Sequence, residues 1–244
     1  MNHNTRRMIV KENGTQFSEI NKEASHYIAG GVVSINRKVS PHIVFTRGKG
    51  SKIYDITGKE YIDYHAAFAP YLLGHNFSKI NEAVLEVIKS GLSLMGSGTN
   101  PLEIRLARLL CESVPSLDLV QVTNTGSEAT AHAIRLARAW TNRDHIILTL
   151  GGYNGWHNEV ARHVMPDREE IGLRKQRGEY PFLASSAGIP ESTKEKVHIV
   201  NFNDLESVEY VLKNYPVDCL LTEPALQNIG IVLPKAGYLK GLID

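Results

Sequence analysis

The segment Val120-Gln121-Val122-Thr123-Asn124-Thr125-Gly126-Ser127-Glu128-Ala129, with the run to Trp140 behind it, decides the fold. It reads as a strand, a glycine-containing turn and the start of a helix over about 127–140. The first turn of a helix carries N–H groups without intrahelical partners and a partial positive charge, so such a turn suits a phosphate. Gly126 lets the backbone come close to an anion, and Thr125 and Ser127 add hydroxyl donors. The dipole alone contributes about 0.3–1 kcal/mol, so affinity needs several donors acting together. The same residues equally make an ordinary Asn/Thr/Ser cap on a core helix, and the local pattern does not separate the two. The turn matches neither G-x-G-x-x-G nor G-x-x-x-x-G-K-[ST], which disfavours dinucleotide and P-loop nucleotide binding.

Outward from this segment the chain alternates helices and strands from about residue 76, which favours a parallel α/β sheet. Ile80, Ala83, Val84, Val87 and Ile88 share one face of a helix over 78–90, with Ser78 as its cap and Gly91 as its stop. A second helix opens at Asn100-Pro101-Leu102-Glu103, where Asn caps, Pro takes the first helical position and Glu reaches back. Leu102, Leu106, Leu109 and Leu110 form its expected buried stripe. Leu119–Val122, Ile146–Leu148, Val197–Val200 and Val217–Leu221 read as strands. Asp204 caps a helix that turns Leu205, Val208, Val211 and Leu212 inward, and 165–190, rich in charge, Pro and Gly, reads as a long loop. Upstream, Ile43–Phe45, Lys52–Asp55 and Tyr61–Tyr64 read as a β meander punctuated by glycines. Before it, residues 1–40 hold an amphipathic start and a Gly30-Gly31 break.

Composition narrows the class. Lys plus Arg number 27 against 26 Asp plus Glu, a net charge of +1, which argues against a generally basic nucleic-acid binder. Hydrophobic residues at 42% and charged residues at 22% are ordinary globular values, which argues against wholesale disorder. Cys111 and Cys219 have no CxxC partner; neither a disulfide framework nor a thiolate zinc site is expected, and both read as buried thiols. No run approaches the roughly 18 apolar residues of a membrane helix, and Met8-Ile9-Val10 is too short for a signal-peptide core. A soluble, cytoplasmic protein is expected, with no membrane and no nucleic-acid partner.

Two further segments sit just past predicted strands, where open α/β sheets bind ligands. In Gly151-Gly152-Tyr153-Asn154-Gly155-Trp156-His157, Tyr153 is placed to stack on a flat ring, although such a loop also serves simply to cover the sheet. In Thr222-Glu223-Pro224-Ala225-Leu226-Gln227-Asn228-Ile229-Gly230, Glu223 and Asn228 project into the same crevice, although Glu-Pro is a common way to end a strand. His157 and Glu159 lack a third ligand at matching spacing, so no metal is expected. No GxSxG occurs, and the remaining His residues make no triad.

In combination these pieces resemble the class III pyridoxal-phosphate aminotransferases, glutamate-1-semialdehyde aminomutase branch, from about Gly30 to the last residue. Asn124–Ala129 with Ala133–Arg138 looks like the family's phosphate cup, and Gly152-Tyr153-Asn154-Gly155 like its Tyr-His-Gly motif. Glu223-Pro224, Asn228-Ile229-Gly230 and Pro234–Leu239 follow the family's next strand and helix. Gly58–Asp63 and Leu73-Gly74-His75 match its small-domain entry. The resemblance implies the major domain of a fold type I, aspartate aminotransferase-like transferase, an α/β fold, with a small N-terminal α+β segment. Residues 1–75 would be part of the small domain and 76–244 an incomplete large domain. It implies pyridoxal 5′-phosphate as cofactor, held by Thr125, Gly126 and Ser127 at the phosphate, Tyr153 on the ring, Asn228 near the phenolic oxygen, and Glu223. Gly30-Gly31-Val32-Val33-Ser34-Ile35-Asn36-Arg37 fits a substrate-contacting stretch of the aminomutase branch, which makes Ser34 and Arg37 substrate residues and Arg37 a carboxylate clamp. A small amino-acid or amino-ketone substrate and a homodimer are implied with it.

Two departures bear on the substrate. Asn154 replaces the family's His after the stacking Tyr, and Phe68 stands where the aminomutase branch has Trp, so aminotransferase and aminomutase both stay open. The family's pyridine-pairing Asp and Schiff-base Lys lie beyond Asp244, and Lys235 and Lys240 belong to a solvent-facing motif. No catalytic residue is therefore assigned. The 244 residues alone are expected to lack turnover, to bind the cofactor weakly and to expose an unpaired sheet edge. Two alternatives are a shortened paralogue that docks on a partner or only senses the cofactor, and a different phosphate-ligand α/β protein such as a nucleotide-sugar binder.

Overall fold

A computed structural model of the chain describes residues 15–34, 37–92 and 98–244, the side chains of residues 15 and 16 excepted. It divides into two compact units, Met1–Arg105 and Leu106–Asp244.

Among the described residues the first unit starts with helix α1 (Thr15–Tyr27) and a 3₁₀ turn at Ala29–Gly31, where Gly30 and Gly31 both adopt positive φ, as the predicted break requires. The meander follows as β1 (Phe45–Lys49), β2 (Lys52–Asp55) and β3 (Glu60–Ile62), antiparallel throughout. The first strand starts where the sequence placed its end: Lys49 pairs with Lys52 across a two-residue turn, and this hairpin draws Phe45–Lys49 into the ladder. Helix α2 (Ser78–Lys89) begins one residue early, with Phe77 rather than Ser78 in the cap position and no side-chain cap bond. Gly91, at φ +70°, ends it as expected.

The division falls within helix α3 (Pro101–Ser113). Its start is as read: Leu102 N donates to Asn100 Oδ1 at 2.8 Å and Asn100 N to Glu103 Oε2 at 3.1 Å. Its expected buried stripe is not buried. Leu102, Leu106, Leu109 and Leu110 are all exposed, because an apolar stripe leaves water only when something packs on it and no described residue covers these. Cys111, on the same helix, is accordingly half-buried rather than buried, as is Cys219.

The second unit is built on three parallel strands, β4 (His145–Thr149), β5 (Val197–Val200) and β6 (Val217–Leu221), in the order β5-β4-β6. Alternation along β4 sends Ile146 and Leu148 to one face, where they meet Ile134, Val160, Val197 and Ile199. Ile147 goes to the other face with Val200, Val208, Val211 and Val217. Both faces are apolar because helices lie on them: α4 (Gly126–Thr141) supplies Ile134, and α5 (Leu205–Asn214) supplies Val208 and Val211. Asp204 caps α5 as predicted, accepting from Ser207 N at 3.0 Å, but Leu212 faces solvent. The short helix α6 (Tyr238–Ile243) closes the chain, and 165–190 carries no helix or strand.

Leu119–Val122, read as a strand, is not one. Its β-forming side chains have no neighbouring strand among the described residues, and without a ladder to satisfy the backbone, propensity alone does not make a strand. Leu119 and Val122 stand in solvent. No described helix is long and apolar enough to cross a membrane.

Candidate functional site

Strand order fixes where a ligand would sit. The chain leaves β4, adds β5 on one side, then crosses to add β6 on the other. That reversal makes the carboxyl ends of β4 and β6 a topological switch point. The two ends are joined there: Thr149 Oγ1 donates to Thr222 Oγ1 at 3.2 Å, and Asn228 Nδ2 donates to Gly151 O at 3.1 Å. The loops holding Tyr153 and Glu223–Asn228 thus start from one crevice.

The first turn of α4 abuts the Tyr153 loop. Trp156 N donates to Ser127 Oγ at 3.2 Å, and a Cβ on Gly155 (φ +122°) would lie 2.9 Å from that same oxygen. Only glycine permits this approach. Thr125 caps α4 with extended backbone (φ −142°, ψ 156°), its Oγ1 accepting from Glu128 N at 3.1 Å. Glu128 Oε2 accepts in return from Thr125 N at 3.1 Å and Asn124 N at 2.8 Å. This capping box satisfies the N–H groups of Asn124, Thr125 and Glu128. Those of Gly126 and Ser127 make no hydrogen bond to any described residue, and a Cβ built on Gly126 would meet nothing within 4 Å. Two donors at the positive end of a helix are therefore left without a partner among the described residues, and the space beside the Gly126 Cα is open.

The remaining predicted residues divide. The Tyr153 ring is half exposed and touches no other described ring. Glu223 Oε2 accepts from Gln227 N at 3.1 Å, while its Oε1 is buried without a partner. Ser34 and Arg37 belong to the first unit, where Arg37 N donates to Ser34 O at 2.9 Å; Ile35 and Asn36 between them lie outside the described residues.

Behind the turn runs a polar chain that the sequence did not announce as a whole. Thr130 Oγ1 lies 2.7 Å from Asn154 O and 3.2 Å from His157 Nε2. His157 Nδ1 meets Glu159 Oε2 at 3.1 Å, Glu159 Oε1 accepts from Arg138 at 3.2 Å, and Arg138 Nε stands 3.2 Å from Asp218 Oδ2. The Asp218 side chain is wholly withdrawn from water. Burial works to raise the Glu159 carboxyl, but hydrogen bonds from His157, its own backbone N–H and Arg138 outweigh it and hold the group below its ordinary value. Burial, and then Asp218, push the Cys219 thiol up to about 12. The available signal was Asp218 itself, a carboxylate inside the apolar strand Val217-Asp218-Cys219-Leu220-Leu221, which needs a buried cation beside it. His157 and Glu159 do adjoin, but as members of this ion-paired chain. Among the described residues no three His, Cys, Asp or Glu side chains are grouped to hold a metal ion.

Residues 34–244 match the family Aminotransferase class-III. The chain belongs to that family. A glutamate-1-semialdehyde 2,1-aminomutase of Lachnoclostridium phytofermentans is 37% identical, the match covering 93% of this chain and 52% of that protein. An omega-transaminase from Sphaerobacter thermophilus superposes with a TM-score of 0.82 at 26% identity, over 92% of this chain and 51% of its own. A transaminase solved with PLP bound gives 0.80 at 24% identity, over 96% and 53%. The fold is therefore that of the PLP-dependent transaminases, as the resemblance implied. The chain spans about half the length of the curated relatives it matches.

Proposed function

We propose that these residues form the pyridoxal-phosphate-binding part of a cytoplasmic class-III aminotransferase or glutamate-1-semialdehyde 2,1-aminomutase. One observation carries this reading: the N–H groups of Gly126 and Ser127 have no partner among the described residues, with open space beside Gly126, next to the Tyr153 loop and at the switch point of the sheet. The donor set fits the cofactor. Gly126 N and Ser127 N would hold two phosphate oxygens, and the Ser127 hydroxyl, which accepts from Trp156 N, keeps its proton to donate to a third. Thr125 sets the turn through its cap. Tyr153 would cover one face of the pyridine ring, Asn228 would stand near the phenolic oxygen, and the free Oε1 of Glu223 offers an acceptor in the same crevice. When bound, the cofactor supplies an electron sink for moving an amino group.

The chain's own part is to grip the phosphate, fix the ring and shield it from water on the Tyr153 side. Lys235 and Lys240 are exposed, and neither is proposed as a covalent anchor. A small amino-acid or amino-ketone substrate completes the reading, its carboxylate met by Ser34 and Arg37, with the protein acting as a homodimer.

The test exploits the helix start. Gly126 is the first helical residue and Thr125 before it is extended, so Gly126→Pro keeps α4 while deleting one phosphate donor. Pyridoxamine 5′-phosphate, which has no aldehyde to react with surface lysines, is the probe for equilibrium dialysis. Binding by the wild type, weakened by about tenfold or more in the proline variant at unchanged melting temperature, supports the reading. Equal affinity in the two proteins, or no binding by the wild type, overturns it.

A further inference from the structure

Thr130 lies one turn into α4, and its hydroxyl reaches in two directions. The contact to Ser127 O at 3.1 Å is a local bond within the helix. The contact to Asn154 O at 2.7 Å spans 24 residues of sequence and ends on the residue that follows Tyr153. No other side-chain hydroxyl of α4 reaches that carbonyl. The one hydroxyl proton goes to Asn154 O, the nearer acceptor; His157 Nε2 stands 3.2 Å from Oγ1, and through Glu159 and Arg138 the chain leads to the buried Asp218 on β6. Glu159, kept ionised, can only accept, so His157 Nδ1 carries a proton and the ring is oriented with Nε2 toward Thr130. One end of this chain is therefore anchored in the sheet, and the other ends between the anion-binding turn and the aromatic loop.

We propose that Thr130 is a positioning residue that couples the two halves of the site, setting the separation between the Gly126–Ser127 turn and the Tyr153 loop. It rests on the cofactor reading above. A ligand with both a phosphate and a ring needs the two halves at one spacing, whereas a ligand with a phosphate alone needs only the turn. The turn keeps its own capping box whatever happens at Thr130. Thr130→Val preserves side-chain shape but removes the hydroxyl, leaving Asn154 O without its donor.

The experiment measures three probes on the 244-residue chain: pyridoxamine 5′-phosphate, inorganic phosphate and unphosphorylated pyridoxamine. Thr130→Val should lose about tenfold in affinity for pyridoxamine 5′-phosphate yet change by less than about twofold for inorganic phosphate. Thr130→Ser, which keeps the hydroxyl, should recover affinity to within about threefold of the wild type. If the valine variant does not fold, Thr130→Ala gives the same comparison. Wild-type affinity for pyridoxamine 5′-phosphate in the folded variant overturns the inference, and so does an equal loss for both phosphate probes, which would make Thr130 a prop for the turn alone. Failure of the wild type to bind pyridoxamine 5′-phosphate overturns the cofactor reading and this inference with it.

Discussion

The two sheets of this chain are held by opposite means. In the parallel sheet, Ile146, Ile147 and Leu148 of β4 are all buried, with apolar clusters on both faces. In the meander, Asp55 is the only residue buried among those described up to Arg105, and it is a carboxylate. It accepts from Thr57 N at 2.8 Å, Thr57 Oγ1 at 2.7 Å, Lys59 N at 3.0 Å and the Tyr61 hydroxyl at 2.9 Å. A buried acceptor with four donors fixes a three-stranded turn sequence that has no apolar interior to do so. Register in one sheet comes from what leaves water; in the other it comes from where one charge finds its donors.

The largest effect should come from the apolar sheet. Ile146→Ala leaves a cavity among Ile134, Val160, Val197 and Ile199 and should cost about 2–5 kcal/mol in urea unfolding followed by circular dichroism. Amide exchange in β1–β3 should be unchanged. Next comes acid. Burial, reinforced by the facing His145, brings His198 down to about 4 from an ordinary value near 6.5. Its ring meets His145 Nδ1 at 2.9 Å and packs on Tyr215, and the ion-paired Asp144 and Lys196 flank that pair. Between those values the unfolded chain binds more protons than the folded one, so stability rises with pH. The contribution is fully present above about 6.5 and lost on descent to about 4, on the order of 3 kcal/mol, and His198→Gln should flatten urea midpoints across that window. Asp55 behaves differently. Burial opposes its ionisation, but its donors win and lower the group, so its contribution holds above the ordinary carboxylate range near 4 and fades only below it. The parallel sheet should therefore weaken at a higher pH than the meander.

The same contrast explains what was legible in the sequence. Lys52–Asp55, Val197–Val200 and Val217–Leu221 were readable as strands because their side chains and flanking turns carry the signal locally. The Asn100 capping box and the Asp204 cap were readable for the same reason, and so was a cap among Asn124, Thr125 and Ser127, which the structure assigns to Thr125: each closes within four residues. Leu119–Val122 and the α3 stripe were misread because their fate depends on distant partners, and period alone does not say whether a partner is present. Around the candidate site, the helix start at the turn was legible, but the Thr130 bond to Asn154 O and the Arg138–Asp218 pair close over 24 and 80 residues, and no local pattern reports them.

Asp55→Ala should separate the two units more sharply than acid does. Removing the carboxylate leaves four donors competing for water in the tightest part of the meander, so slow amide exchange across β1 and β2 should disappear. Exchange in β4 and β5 should not move. If protection in β1–β2 survives, the meander has a support other than its polar centre, and the contrast fails.

The smallest effect tests whether a polar joint matters equally where an apolar core is present. Thr125→Ala removes the side-chain half of the capping box on α4 and leaves Glu128 N without its acceptor. Such a loss costs about 1 kcal/mol. Because Ile134 still anchors α4 on the sheet, the helix should persist and only its first turn should fray, visible as faster exchange at Glu128 and Ala129 with the global unfolding midpoint barely changed. A collapse of the second unit comparable to that of Ile146→Ala would mean that the capped turn of α4, and not the apolar core, holds the helix to the sheet, and the two sheets would then differ in composition but not in principle.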